Sequence, residues 1–349
     1  MARAAVPLCL ALLAACSPGY AQQNVIDDFG YAPQTGLTPA SPQPYCLCGE
    51  DGLGMPPCRQ WWCSSWYVRA EALFLLRTNG FQDQVLVENN AGAGLLSTND
   101  LSFDLEPGVS ALLGHRIDNV SAWELSYFGA LQWQSKLQAA SLANLDLPDP
   151  LGAELDDFDN ADLISIAFAS TLHNVEVNYL RDFACFSALV GFRYLSWEEQ
   201  LGLQALDGDG DISNYDVGTS NNLFGAQLGA RTVLHAQWVD WECTGRAGIF
   251  GNDAQQRQLL TDDDNAISVR NTGSRARGAA FVGDINLSAH CRLSRVWSLR
   301  AGYGGLWITG LALAPDQLDF SNNLTSGTAL AQNGSAFVHG LNVGLEALW

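Results

Sequence analysis

From Phe337 to the last residue the chain alternates without a break. The odd positions are Phe337, His339, Leu341, Val343, Leu345, Ala347 and Trp349; the even ones are Val338, Gly340, Asn342, Gly344, Glu346 and Leu348. Successive side chains on a strand point to opposite faces, so this pattern belongs to a strand lying between an apolar and a polar medium. A strand of a soluble sandwich alternates too. Two further segments favour lipid. In 120–134 the odd positions are Trp123, Leu125, Tyr127, Gly129, Leu131 and Trp133; in 296–311 they are Trp297, Leu299, Ala301, Tyr303, Gly305 and Trp307. Each carries a Trp at either end of one face. Ten residues at about 3.3 Å rise and about 40° tilt cover roughly 25 Å, the height of a lipid-facing band bordered by aromatic girdles. Trp123, Trp133, Trp297, Trp307 and Trp349 are the expected girdle residues.

The ends of the chain divide it further. Residues 1–21 read as an export signal: Arg3, an apolar run too short to span a bilayer, then Gly19-Tyr20-Ala21 as a small-x-small cleavage site. The competing reading is a lipobox, Leu13-Ala14-Ala15-Cys16, with Cys16 lipidated. Residues 22–65 form a leader, rich in Pro, Gly and Gln and then in Cys. The barrel is expected over 66–349. After the signal no stretch approaches the ~20 apolar residues of a membrane helix. A closed barrel is the other structure that pairs every backbone group within a bilayer. Charged residues are only 15% of the chain, below the ~25% usual in soluble domains. The net charge is −20, with 17 basic residues scattered along the chain, which offers nothing to nucleic acid. Acid gathers in 146–162, 207–216 and 253–264, which read as solvated loops.

Ten strands are expected, over 66–77, 108–116, 121–134, 163–181, 184–197, 222–236, 243–251, 278–290, 296–309 and 335–349. Long connections alternate with short ones, the layout of an outer-membrane barrel with short periplasmic turns. The fold class is therefore an antiparallel up-and-down transmembrane β-barrel. Twelve strands are the alternative, if 82–88 pairs with 101–105. Three hairpins share a cysteine near the short turn, at Cys185, Cys243 and Cys291.

By parity Glu124, Glu176, Arg193, Gln227, Arg231, Asp284, Arg300 and Glu346 face inward. Inward charges either line a water-filled pore or pair with one another to fill it. Eight strands are just filled by side chains, so ten leave a narrow lumen and twelve a wider one. Export favours disulfides among Cys46, Cys48, Cys58, Cys63, Cys185, Cys243 and Cys291, with leader cysteines pinned to turn cysteines across the periplasmic mouth. Zinc at the leader cysteines lacks a nearby His. Asp207, Asp209 and Asp211 resemble the start of a calcium loop, but Ile212 stands where Gly is needed and Gly218 where Glu is needed. A tight acidic turn is the better reading; no cofactor is expected beyond calcium at the external loops. No His-x-x-x-His pair or Gly-x-Ser-x-Gly elbow is present, and no catalytic residue is expected.

Several stretches, in order, resemble the planctomycete beta-barrel porin family seven. They are Trp66-Tyr67-Val68-Arg69-Ala70-Glu71, Gly191-Phe192-Arg193-Tyr194-Leu195, Gly225-Ala226-Gln227-Leu228-Gly229-Ala230-Arg231, and Asn342-Val343-Gly344-Leu345-Glu346 before Trp349. The resemblance implies an outer-membrane barrel and supplies no ligand residues. The expected function is a porin-like passive channel for small hydrophilic solutes. The alternative is a structural envelope barrel with a plugged lumen and cation-bridged acidic loops. The expected partners are outer-membrane lipid and, through the C-terminal strand, the barrel-assembly machinery.

Overall fold

The computed structural model describes residues 65–349, apart from 152–154, 156–157, 236–238 and 263–266. The signal, Cys16 and the leader cysteines Cys46, Cys48, Cys58 and Cys63 lie outside the described residues. Ten strands close into one antiparallel barrel: β1 (Trp66–Thr78), β4 (Glu106–Arg116), β5 (Ser121–Leu145), β6 (Ala161–Asp182), β7 (Ser187–Leu206), β8 (Ile212–His235), β9 (Asp240–Asp262), β10 (Ile267–Arg292), β11 (Trp297–Leu311) and β12 (Gly334–Leu348). Each pairs with its neighbour in sequence, and β1 closes on β12 from Tyr67 opposite Leu348 to Thr78 opposite Phe337. Trp66 and Trp349 exchange both backbone hydrogen bonds at 3.0 Å, so no strand edge is left open at the seam.

The twelve-strand alternative is wrong. The remaining strands, β2 (Val85–Glu88) and β3 (Gly94–Ser97), pair only with each other as a separate hairpin, and 101–105 forms no strand. Three of the expected long loops are also wrong. Most of 198–221 and 252–277, and 135–145 and 161–162 at the two ends of 135–162, are strand, because β5 to β10 run about ten residues past the level where the lipid-type pattern stops. Polar residues read as loop are there the outer face of a wall that stands above the ten-strand barrel. On β8 the outward positions change from Asp216, Ser220 and Asn222 to Phe224, Ala226 and Leu228; on β7 they change from Gln200 and Glu198 to Phe192 and Val190. The alternation persists while the outer medium changes.

Among the bulges of the described strands, two that reverse that alternation have clear consequences. Between Phe128 and Leu131, β5 advances three residues while β6 advances two, from Asn174 to Leu172. Side chains beyond this point swap faces. Trp123 and Leu125 point outward, but Leu131 and Trp133 point inward and are fully buried. The placement of Trp133 in an outer girdle is therefore corrected: the extra residue, invisible to parity, turns it into the core. Near the end of β11 a second bulge falls at Gly310, which has φ +80° and no room for a Cβ (2.5 Å from the Ala279 carbonyl oxygen). Only glycine fits there without strain. Past it the chain folds into the barrel, and Leu311, Ala312, Leu313 and Ala314 are all fully buried.

The other expected girdle residues stay on the outer face. Trp66, Trp123, Trp241, Trp297 and Trp349 are exposed on the outer face toward the short turns. Toward the opposite border Trp307 stacks on Phe337 (4.8 Å), Tyr194 lies tilted against Phe224 (4.7 Å), and Tyr303 is hydrogen-bonded to His339 (2.6 Å).

Candidate functional site: the barrel interior

The interior is filled in layers. Toward the short turns lies an ion-pair layer of five guanidiniums (Arg69, Arg193, Arg231, Arg246, Arg300) and six carboxylates (Glu71, Glu124, Glu176, Glu242, Asp284, Glu346). Strand alternation directs every one inward, while the outward neighbours are apolar. Arg231 grips both oxygens of Glu124 (2.7 and 2.8 Å), and Tyr67 donates to the same carboxylate at 2.7 Å. Arg69 donates through Nε and Nη2 to Glu346 at 3.0 and 2.8 Å. Arg300 bridges Glu71 (2.8 Å) and Glu242 (2.9 Å), with Nη1 on His290 Nε2. Glu176 and Asp284 are each shared by Arg193 and Arg246, and Gln227 completes Glu176 at 2.9 Å. A buried charge costs several kcal/mol unless paired and hydrogen-bonded. Each of these arginines has at least one carboxylate partner, and together the pairs tie opposite walls of the barrel. A cavity of about 160 Å³ remains among Arg69, Glu71, Asn286, Arg300 and Asn342, room for several waters.

Above this layer the lumen is apolar. Trp133 stacks on Trp197 at 6.0 Å, among Leu172, Leu195, Leu223, Phe250, Val282, Leu306 and Val338. Trp133 Nε1 donates to the Leu75 carbonyl (3.1 Å) and Trp197 Nε1 to Glu199 (2.8 Å), so neither indole N–H is stranded. Arg77 sits over this floor. Its guanidinium lies 4.8–5.1 Å from the rings of Phe81, Phe103, Phe168 and Trp197, and Nη2 meets Glu199 at 2.6 Å, both side chains wholly buried.

The segment after Gly310 closes the top. A buried loop must find partners for its backbone, and inward polar side chains of the wall supply them. Asn221 accepts from Ala312 N–H (2.7 Å) and donates to its carbonyl (2.8 Å). Glu199 accepts from Ala314 N–H (2.8 Å), Gln258 donates to the Gln317 carbonyl (2.6 Å), and Arg270 donates to the Asp319 carbonyl (2.6 Å). A second apolar cluster, including Leu86, Leu101, Phe158, Tyr215, Leu260 and Phe320, packs the loops onto the wall.

The eight residues expected to face inward all lie inside, and all eight join the ion-pair layer rather than facing an open passage. Sequence reasoning missed Arg69, Glu71, Glu242, Arg246, Arg77, Glu199 and Asn221. The first four carry the same parity signal; Glu242 falls one residue before the expected strand start. The last three lie where an expected strand ends or an expected loop runs. Cys185 and Cys291, expected in bridges, are free and exposed thiols. Cys243 is disulfide-bonded, with neither of those as its partner. Asp207 spends one oxygen on the backbone N–H groups of Asp209, Gly210 and Asp211 (2.8–3.0 Å), closing a turn. Among the described residues no group of three or more His, Cys, Asp or Glu is arranged to hold a metal.

No protein-family model matches the sequence, and no curated protein does. Among solved structures, the outer membrane protease OmpT from Escherichia coli aligns at 6% identity and TM-score 0.44 over 82% of this chain and 97% of its own. A Pseudomonas aeruginosa FadL homologue aligns at 8% identity and TM-score 0.24, over 82% and 90%. An anion-selective porin from Comamonas acidovorans aligns at 10% identity and TM-score 0.16, over 82% and 99%.

Proposed function

We propose that this chain is an integral outer-membrane β-barrel whose interior is sealed, a structural envelope protein rather than an open passive channel. One observation carries the reading: an apolar outer band runs around all ten strands, and it encloses an ion-pair layer with a cavity of about 160 Å³, then an apolar layer and a buried loop that fill the lumen above it. Outward Phe74, Val109, Leu125, Val177, Val190, Leu228, Ile249, Phe281, Leu299 and Leu341, one from each strand, are exposed together. A soluble protein rarely exposes so large a continuous apolar surface. Inside, the stacked pair Trp133–Trp197 and the buried pair Arg77–Glu199 stand across the path a solute would take.

The test is conductance in a planar bilayer, with heat-modifiable migration reporting the folded barrel. The sealed reading expects folded protein and no discrete steps. Regular open steps from the folded wild type would overturn it in favour of a passive channel for small hydrophilic solutes.

A further inference from the structure

In a chain of net charge −20, one outward patch is basic. Arg275 and Arg277 on β10 point outward just above the band that begins at Ala279 and Phe281, and Arg257 on β9 points outward higher on the wall, in register with Gly273. Asp253 is the carboxylate that Arg275 and Arg277 share. Arg275 Nε donates to it at 2.7 Å with Nη2 on the other oxygen, and Arg277 Nε lies 3.7 Å away. Two cations on that one anion leave capacity, and the Arg275 and Arg277 side chains are 58% and 82% exposed. Arg257 has glycine on both sides in its row, Gly218 on β8 and Gly273 on β10. With no neighbouring side chain to cover it, Arg257 stands at the meeting point of two shallow grooves of about 480 and 420 Å³ on the outer face of the wall. Gln134, Gln200 and Asp216 line the same grooves.

We infer that this face binds the phosphorylated saccharide headgroup of a glycolipid in the leaflet surrounding the wall. The inference rests on the membrane-spanning reading above. Arginine forks match phosphate geometry, and amides with a carboxylate suit sugar hydroxyls. Continuity with the band selects a lipid over a free sugar phosphate: acyl chains lying on Phe281 and Ile249 bring a phosphate to Arg277 and Arg275, with the saccharide reaching on toward Arg257, four register positions higher.

The full-length barrel, folded in detergent, is tested by native mass spectrometry with diphosphoryl lipid A, with the dephosphorylated lipid and with inorganic phosphate. The wild type is expected to retain the phosphorylated lipid roughly tenfold better than the dephosphorylated one, with a preference that weakens as salt rises. The triple variant R257Q/R275Q/R277Q should lose that preference. An R292Q/R295Q control at the opposite rim should keep it. Equal retention of the two lipids, a preference unmoved by salt, or displacement by inorganic phosphate alone overturns the proposal, the last by indicating a free-anion site. Carbonate extraction separates the two claims. A wild type that stays with membranes yet shows no preference removes the lipid site only, whereas release by carbonate removes the membrane reading and the lipid site with it.

Discussion

Glu199 accepts from three elements at once: Arg77 of β1, the Trp197 indole of β7 and the Ala314 backbone of the inserted loop. Removing one partner of a buried ion pair leaves the other charge uncompensated. Glu199→Ala is expected to cost about 3–5 kcal/mol, read as a lowered urea midpoint of the heat-modifiable band. Replacing both ends, Arg77→Met with Glu199→Leu, should recover most of that loss. A double variant as unstable as the single one would show that the pair's charges are not the source. Two carboxyl groups of the same loop respond to acid in opposite directions. At Asp319, burial pushes the carboxyl upward, but hydrogen bonds from Ser321 and Gly327 and the nearby Arg270 charge outweigh it and hold the group below its ordinary range. Its stabilisation is present above the unfolded-state value and is lost as pH falls through the folded one. Asp316 is pushed up by burial and by Glu199, against a hydrogen bond from Gln82. Its ionised form costs stability at neutral pH, and protonation relieves that cost. The wild-type loop 312–333 is therefore expected to lose hydrogen-exchange protection below the carboxylate range, and Asp319→Asn to flatten that loss. An unchanged acid profile in the variant would remove Asp319 from the account.

Within the strands, single-residue insertions decide which face a side chain occupies. The bulge in β5 converts an apparent girdle residue into the ring that floors the upper lumen, and the bulge at Gly310 sends the chain inward as a plug. Gly310→Ala places a Cβ against the Ala279 carbonyl at a positive φ, and strain of this kind is worth about 1–3 kcal/mol. The expected result is faster proteolysis of 312–333, with the lower barrel still resistant. Equal proteolysis rates would mean the turn relaxes without moving the plug. Four of the inward polar residues of the upper wall, Glu199, Asn221, Gln258 and Arg270, serve the backbone of this loop. All four fall in segments that read as loop from sequence, and the segment they hold lies about fifty residues or more away in the chain.

At the scale of the molecule, one strand can cross two media without changing its alternation. On β8 the outward Leu228 is 68% exposed within the apolar band, whereas Ser220, on the same face, lies above it. Arg in place of Leu228 is expected to cost about 2–4 kcal/mol for folding into vesicles, and Arg in place of Ser220 no more than about 1 kcal/mol. Urea titrations in lipid measure both. Equal costs would mean that lipid does not contact the Leu228 level. The ion-pair layer lies at the same height as the band, so its charges are held inside by ten strands whose outer faces are hydrocarbon-like.

Strand number, inward and outward faces and the inward charges were legible because alternation is a local property: it needs only the period of two and a contrast between two environments. Glu124, Arg231 and Arg300 could be placed inside from their immediate neighbours. Their pairing, by contrast, depends on which residues meet across the lumen, and no local pattern encodes that. The same holds for Trp133, for Arg77 beneath the loops and for Ala312 on Asn221. Whether the barrel is open or filled is set by contacts between segments far apart in the chain, together with two extra residues that shift register, so it emerged only when the strands closed on one another.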